Sequence, residues 1–200
     1  MEKNMYDNSA FFEKYRNMLR SREGLKGAGE WPVLEKMLPD FKGKHVLDLG
    51  CGYGWHCRYA AERGAVRVVG IDSSEKMLQE ARYRNSSDVI VYRQAGMEDF
   101  DYPPERFDVV ISSLALHYVE NLKEIFCKIN RTLMPEGIFV FTIEHPVFTA
   151  YGSQDWFRNA EGIIQHWPVD DYFTEGRRET GFLGEKVVKY HHTLTTLLQG

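Results

Sequence analysis

Cysteine is scarce in this chain. Its 200 residues include three, Cys51, Cys57 and Cys127, an odd number without CxxC spacing. Neither a disulfide framework nor a zinc site is suggested by that count and spacing. Long apolar runs are missing as well: none approaches the ~20 residues a membrane-crossing helix needs, and residues 1–15 lack the apolar stretch of a signal peptide. A reduced, cytoplasmic setting without a membrane partner is expected. Positive charge is not in excess either. The 25 Lys and Arg stand against 29 Asp and Glu, a net charge of −4, and they are scattered rather than gathered in the basic stripe of a nucleic-acid binder, so no nucleic-acid partner is expected. Internal repeats and low-complexity stretches are absent too. What the chain does have is aromatic side chains, 14 % of residues, many of them in the first 31 positions and after Phe148. Apolar residues at 43 % over 200 positions suffice for a single domain with a full core.

Residues 1–39 read as a helical cap, with Phe11, Phe12, Tyr15, Met18 and Leu19 on one face and a glycine-rich break at Gly24, Gly27 and Gly29. From Lys44 onward short β-branched runs alternate with amphipathic ones. Strands are predicted at 45–49, 67–71, 89–93, 107–112 and 137–144. Helices are predicted at 55–63, from Ser73 or Ser74 through Met77 and Ala81, and at 122–133. Apolar strands alternating with helices predict an α/β fold, a doubly wound, mostly parallel sheet, with its ligand at the carboxyl ends of the central strands.

The strongest local pattern is Asp48-Leu49-Gly50-Cys51-Gly52-Tyr53-Gly54, where the first strand turns into the first helix. Glycines there permit positive φ and let a ligand approach the backbone; the plain alternative is a tight strand-to-helix turn. A dinucleotide fingerprint would place its third glycine where Trp55 stands. A pyrophosphate also favours small residues and a bare helix start, whereas Tyr53-Gly54-Trp55-His56 is bulky. The carboxylate of Asp48 would repel a diphosphate and attract a sulfonium or ammonium. The second strand ends in Val69-Gly70-Ile71-Asp72, and a carboxylate at that point can accept from both hydroxyls of a ribose; alone, Asp72 could equally be a helix N-cap.

Residues 46–54, 69–72, 107–118 and 133–137 resemble the successive motifs of class I S-adenosylmethionine-dependent methyltransferases, most closely the methyltransferase type 11 group, over roughly residues 40 to 145. The resemblance implies a Rossmann-like methyltransferase fold that binds S-adenosylmethionine and releases S-adenosylhomocysteine. It implies that Gly50, Cys51 and Gly52 line the methionine part of the cofactor with Asp48 nearby, that Asp72 holds the ribose, and that Ser73 and Met77 lie beside the ribose and adenine. The acidic residue that often follows the third strand in this family is replaced by Gly96, so Met97 and Glu98 are expected to take over the adenine contact, unless Glu98 is only a solvated loop carboxylate. The loop opened by Leu114 is expected beside the sulfonium and the entering substrate.

His117 could orient an acceptor or take its proton, or could simply cap the next helix. Glu144-His145 could form an acid–base pair, with His145 touching substrate, or could only fix the loop that follows. Direct displacement demands alignment and desolvation more than a base. Residues 147–189 are too long for an ordinary connection, and their aromatics (Tyr151, Trp156, Phe157, Trp167, Tyr172, Phe173, Phe182) predict a lid over a small-molecule acceptor, with the N-terminal helix as the opposite wall. The domain reading is therefore a helical cap (1–39), a cofactor-binding core (40–145), and a lid with a truncated C-terminal part (146–200). Family members usually add two further strands, whereas 193–200 resembles only the start of the helix before them, as in a truncated or short variant. The fifth strand would then be an open edge, which a homodimer would cover. Two rivals share parts of this pattern. A nicotinamide-dependent oxidoreductase shares the fold but not the glycine spacing, and a non-catalytic cofactor binder would bind without transferring methyl.

Overall fold

The computed structural model describes residues 5–199; residues 1–4 of the expected cap and Gly200 lie outside them. A period of two organises the centre of the molecule. In β1 (His45–Leu49), Val46 belongs to one face and Leu47 and Leu49 to the other. β2 (Arg67–Asp72) divides Val68 from Val69 and Ile71, and β4 (Phe107–Ser113) divides Val109 and Ile111 from Val110. Strands apolar on both faces need a helical layer on each side. With β3 (Ile90–Gln94) and β5 (Leu133–Thr142) they form a five-stranded sheet of order β3-β2-β1-β4-β5, every neighbouring pair parallel.

The segment before the sheet folds as two 3-10 turns (Met5–Asp7 and Gly24–Gly27) and three short helices, α1 (Ser9–Arg16), α2 (Leu19–Glu23) and α3 (Trp31–Met37). On the Val46 face, α4 (Trp55–Glu62) and α5 (Glu75–Arg84) bury Cys57, Ala60 and Leu78. On the other, α6 (Leu122–Thr132) buries Leu122, Ile125 and Ile129, a three- and four-residue spacing that lays one stripe on the sheet. The side chain of Asn121 accepts from the Glu124 amide and starts α6. Chain order reverses between β1 and β4, so the loops leaving these neighbours run to opposite faces and a crevice opens between them.

Two expectations change. β5 starts at Leu133, earlier than the pattern suggests, because Leu133 pairs with Phe107 before a register shift; pairing resumes at Ile138 opposite Val109, and Glu136 takes φ 63 in between. Residues 147–189 are not one continuous aromatic lid. They form α7 (Pro146–Ala150), a small hairpin of β6 (Phe157–Arg158) and β7 (Ile164–His166), and a longer hairpin of β8 (Gly176–Phe182) and β9 (Glu185–His191), followed by α8 (Leu194–Gln199). Leu183 and Gly184, both at positive φ (53° and 76°), make the two-residue turn between β8 and β9, a turn whose twist matches that of paired strands. β5 is an edge of the sheet, with Ile138 43 % exposed. Among the described residues no helix is long and apolar enough to cross a membrane.

Candidate active site

Gly50 (φ 70), Gly52 (φ 52) and Gly54 (φ 76) all lie in the left-handed region that side chains disfavour. At Gly50 the reason is also steric: a Cβ would stand 2.5 Å from that of Ala115, so the loops after β1 and β4 touch only because glycine is there. The Cys51 amide donates to the Ile71 carbonyl (2.8 Å) and ties the turn to β2. Asp72, ending β2, accepts from the Gly52 amide and the Ser74 amide, each at 2.9 Å. Burial pushes its carboxyl up to about 6. The N-cap of α5 is Ser74, whose hydroxyl accepts from the Met77 amide, so Asp72 is not spent on capping. Asp48 lies one layer deeper. It accepts the Cys57 thiol proton at 3.2 Å, its other oxygen has no partner among the described residues, and burial raises it to about 7.

A cavity of about 340 Å³ opens at this end of the sheet, a volume suited to a small molecule. Of the residues singled out from the sequence, Gly50, Cys51, Gly52, Asp72, Ser73, Met77, Leu114 and His117 line it. Asp48, Gly96, Met97, Glu98 and His145 do not. Met97 packs against the core beneath Gly50, and the Glu98 carbonyl accepts from Lys128. His145 is exposed, and its Nδ1 accepts from the Val147 amide as the N-cap of α7. Of the two readings of Glu144-His145, His145 takes the one in which it fixes the segment that follows, and Glu144 pairs elsewhere. Glu144 binds Lys189 of β9 at 2.6 Å, and its nearest imidazole is that of His117, 3.9 Å away. Burial, followed by the charges of Lys189 and Arg20, holds His117 down at about 3, so this imidazole is neutral at physiological pH.

Of the aromatics expected in the lid, only Phe182 reaches the cavity. Phe148, Trp156 and Trp167 pack on one another instead, and Phe173 is 91 % exposed. The opposite wall comes from the N-terminal segment, as expected, through Tyr6, Tyr15, Arg20 and Ser21. The hydroxyls of Tyr6 and Tyr118 meet at 2.9 Å across the space. Asp7 accepts from the Ser74 hydroxyl (2.7 Å) and the Lys76 amide (3.2 Å), which fixes this segment to α5.

The donor set permits a test of fit. Ser21 Oγ, Trp55 Nε1 and His56 Nε2 belong to cavity-lining side chains, are shielded from solvent, and have no partner among the described residues. With Arg20 they supply donors for a carboxylate. Tyr6 and Tyr15 supply aromatic faces that attract a cation, and Asp72 supplies acceptor oxygens for vicinal hydroxyls. A ligand that is nucleoside, cation and carboxylate together matches these groups, and S-adenosylmethionine is such a ligand.

Known proteins agree. A family profile described as a methyltransferase domain matches residues 47–141. A crystal structure assigned to an S-adenosylmethionine-dependent methyltransferase from Listeria monocytogenes is 54 % identical with a TM-score of 0.82, covering 86 % of this chain and 80 % of that one. One from Mesorhizobium loti is 46 % identical with a TM-score of 0.80, covering 88 % and 80 %. The chain belongs to the S-adenosylmethionine-dependent methyltransferases. Demethylmenaquinone methyltransferase of Tropheryma whipplei is 36 % identical over 112 residues, which cover 56 % of this chain and 46 % of that one.

Proposed function

We propose that the cavity carries methyl transfer to a small-molecule acceptor by direct displacement, with the cofactor across the glycine turn and Asp72 and the acceptor beside His117 and Glu144. The observation that carries this reading is the continuity of a single cavity from Asp72 through Gly50 and Leu114 to Glu144 and Lys189. The cofactor supplies an electrophilic methyl group; the chain binds, aligns and excludes water. Leu114, beside that path, is held at φ 50 by its amide, which donates to the Thr142 carbonyl at 2.9 Å. A non-glycine residue kept in this region is strained, and such strain collects at functional sites. In this reading residues 1–39 close the cofactor side, 40–145 hold the cofactor, and within 146–200 the β8–β9 hairpin closes the acceptor side.

Asp72 provides the test. A ligand hydroxyl donating to it favours the ionised carboxylate, so affinity should be full above about 6 and fall about tenfold per pH unit below that value. Calorimetric titration with S-adenosylhomocysteine at pH 7.5, 6 and 5 measures this, and Asp72→Asn should flatten the dependence. No heat at any pH, with binding of NADH instead, would overturn the reading. A homodimer across the open β5 edge and a reducing, cytoplasmic setting for the three free thiols belong to the same proposal.

A further inference from the structure

The cavity contains one polar cluster for which the cofactor reading has no use. Glu144 stands two residues beyond β5, Lys189 comes from β9, and His117 comes from a short 3-10 turn after β4 (Leu116–Tyr118). β2 and β5 are three strand spacings apart in the sheet, roughly 14 Å, so the cluster lies well past the ribose position at Asp72. Lys189 is 4 % exposed and fixes one oxygen of Glu144 at 2.6 Å, with Gln154 Oε1 at 3.4 Å as its second partner. Glu144 Oε2 and His117 Nδ1 are shielded from solvent and have no partner among the described residues. Buried polar atoms without partners are uncommon, and on the wall of a cavity these two are available to a bound molecule. Phe182, whose ring centre is 5.5 Å from Lys189 Nζ, and Tyr118, whose ring lies 4.4 Å from that of His117, also line the cavity.

Oxygen, carbon, sulfur and nitrogen nucleophiles can all accept methyl, and the cluster treats them differently. An alcohol or a carbon acid must lose a proton as it reacts, which calls for a competent base. His117, held near 3 by burial and by the cations Lys189 and Arg20, is a poor one, and Glu144 is engaged in an ion pair. A thiolate or a carboxylate would bring negative charge against Glu144. A neutral nitrogen compound already has its lone pair and carries an N–H for Glu144 Oε2 to accept. A weakly basic nitrogen is already unprotonated at neutral pH, so its lone pair is available on arrival. We infer that the acceptor is a small, weakly basic nitrogen nucleophile, an aromatic amine or an azole, whose N–H is held by Glu144 and whose ring lies against Phe182 and Tyr118. This rests on the methyl-transfer reading above. In the transfer the nitrogen lone pair forms the N–C bond while the S–C bond of the sulfonium breaks. Sulfur leaves as a neutral thioether, and the positive charge moves to nitrogen, toward the carboxylate of Glu144, where it is stabilised as it develops. No proton has to move inside the site; the N–H proton passes to water after release.

The experiment has two stages. Calorimetry with S-adenosylhomocysteine first shows whether the cofactor binds; no heat overturns the methyl-transfer reading and this inference with it. With binding established, methyl-labelled S-adenosylmethionine is offered with aniline, benzimidazole, phenol, thiophenol and benzoate. Label should enter aniline or benzimidazole at least about tenfold faster than the other three, and Glu144→Gln should lower that kcat/KM by on the order of 100-fold while the Kd for S-adenosylhomocysteine stays within about twofold. Glu144→Asp, which keeps the charge, should retain the nitrogen preference with a raised KM and serves where the glutamine variant does not fold. Faster labelling of phenol, thiophenol or benzoate, no nitrogen labelling by a cofactor-binding protein, or an undiminished rate in both variants would each overturn the inference.

Discussion

Asp48 shows how one buried carboxylate connects stability to pH. It is 1 % exposed, with a thiol as its partner, and its folded-state value of about 7 lies above the ordinary 3.8. A carboxyl raised on folding stabilises the native state while it is protonated, and that contribution is lost as pH climbs from about 4 through 7. The loss is on the order of 4 kcal/mol by pH 8. Asp48→Asn keeps the shape and cannot ionise, so it should raise the thermal midpoint at pH 8 by about twice as much as at pH 5. An equal effect at both pH values would show that Asp48 is ionised throughout. At this scale the sequence showed the residue types without their partners. Asp48, Asp72 and the three glycines stand out by spacing, but the Glu144–Lys189 pair spans 45 positions, and no local pattern announces it.

At the scale of elements, the turn into α4 depends on Gly54. A Cβ there would stand 2.2 Å from the Tyr92 hydroxyl, and that hydroxyl is already committed to the Asn85 carbonyl at 2.9 Å. Gly54→Ala must adopt φ 76 and displace Tyr92 together. We expect a destabilisation of about 2–3 kcal/mol, read from the urea midpoint, with Tyr92→Phe in the same chain recovering part of it. The five parallel strands were legible because apolar residues alternate with helical stretches. The β8–β9 hairpin was not, because its inward face is polar: Thr180 on β8 and Lys189 and His191 on β9 are buried beside a single apolar Val187. Leu183-Gly184 was the available turn signal. The aromatics of 147–189 pointed to a lid by composition, yet most of them pack on one another or face solvent, and two of the side chains that do close the cavity, Tyr6 and Arg20, come from the other end of the chain.

On the scale of the whole molecule, the attachment of Asp7 to the first turn of α5 has a practical consequence. The segment that carries the half-exposed Lys14 and Arg16, residues after which trypsin cuts once the helix opens, is anchored on the same turn that follows Asp72. Whatever occupies the space between them must make this clasp harder to lift, by thermodynamic reciprocity. Cleavage near the amino end should therefore slow in proportion to occupancy when S-adenosylhomocysteine is added, and Asp7→Ala should be cut quickly with or without it. A protease and a gel would then serve as a gauge of saturation, and a bulky tag fused ahead of Met1 would be a poor choice for any assay of this enzyme.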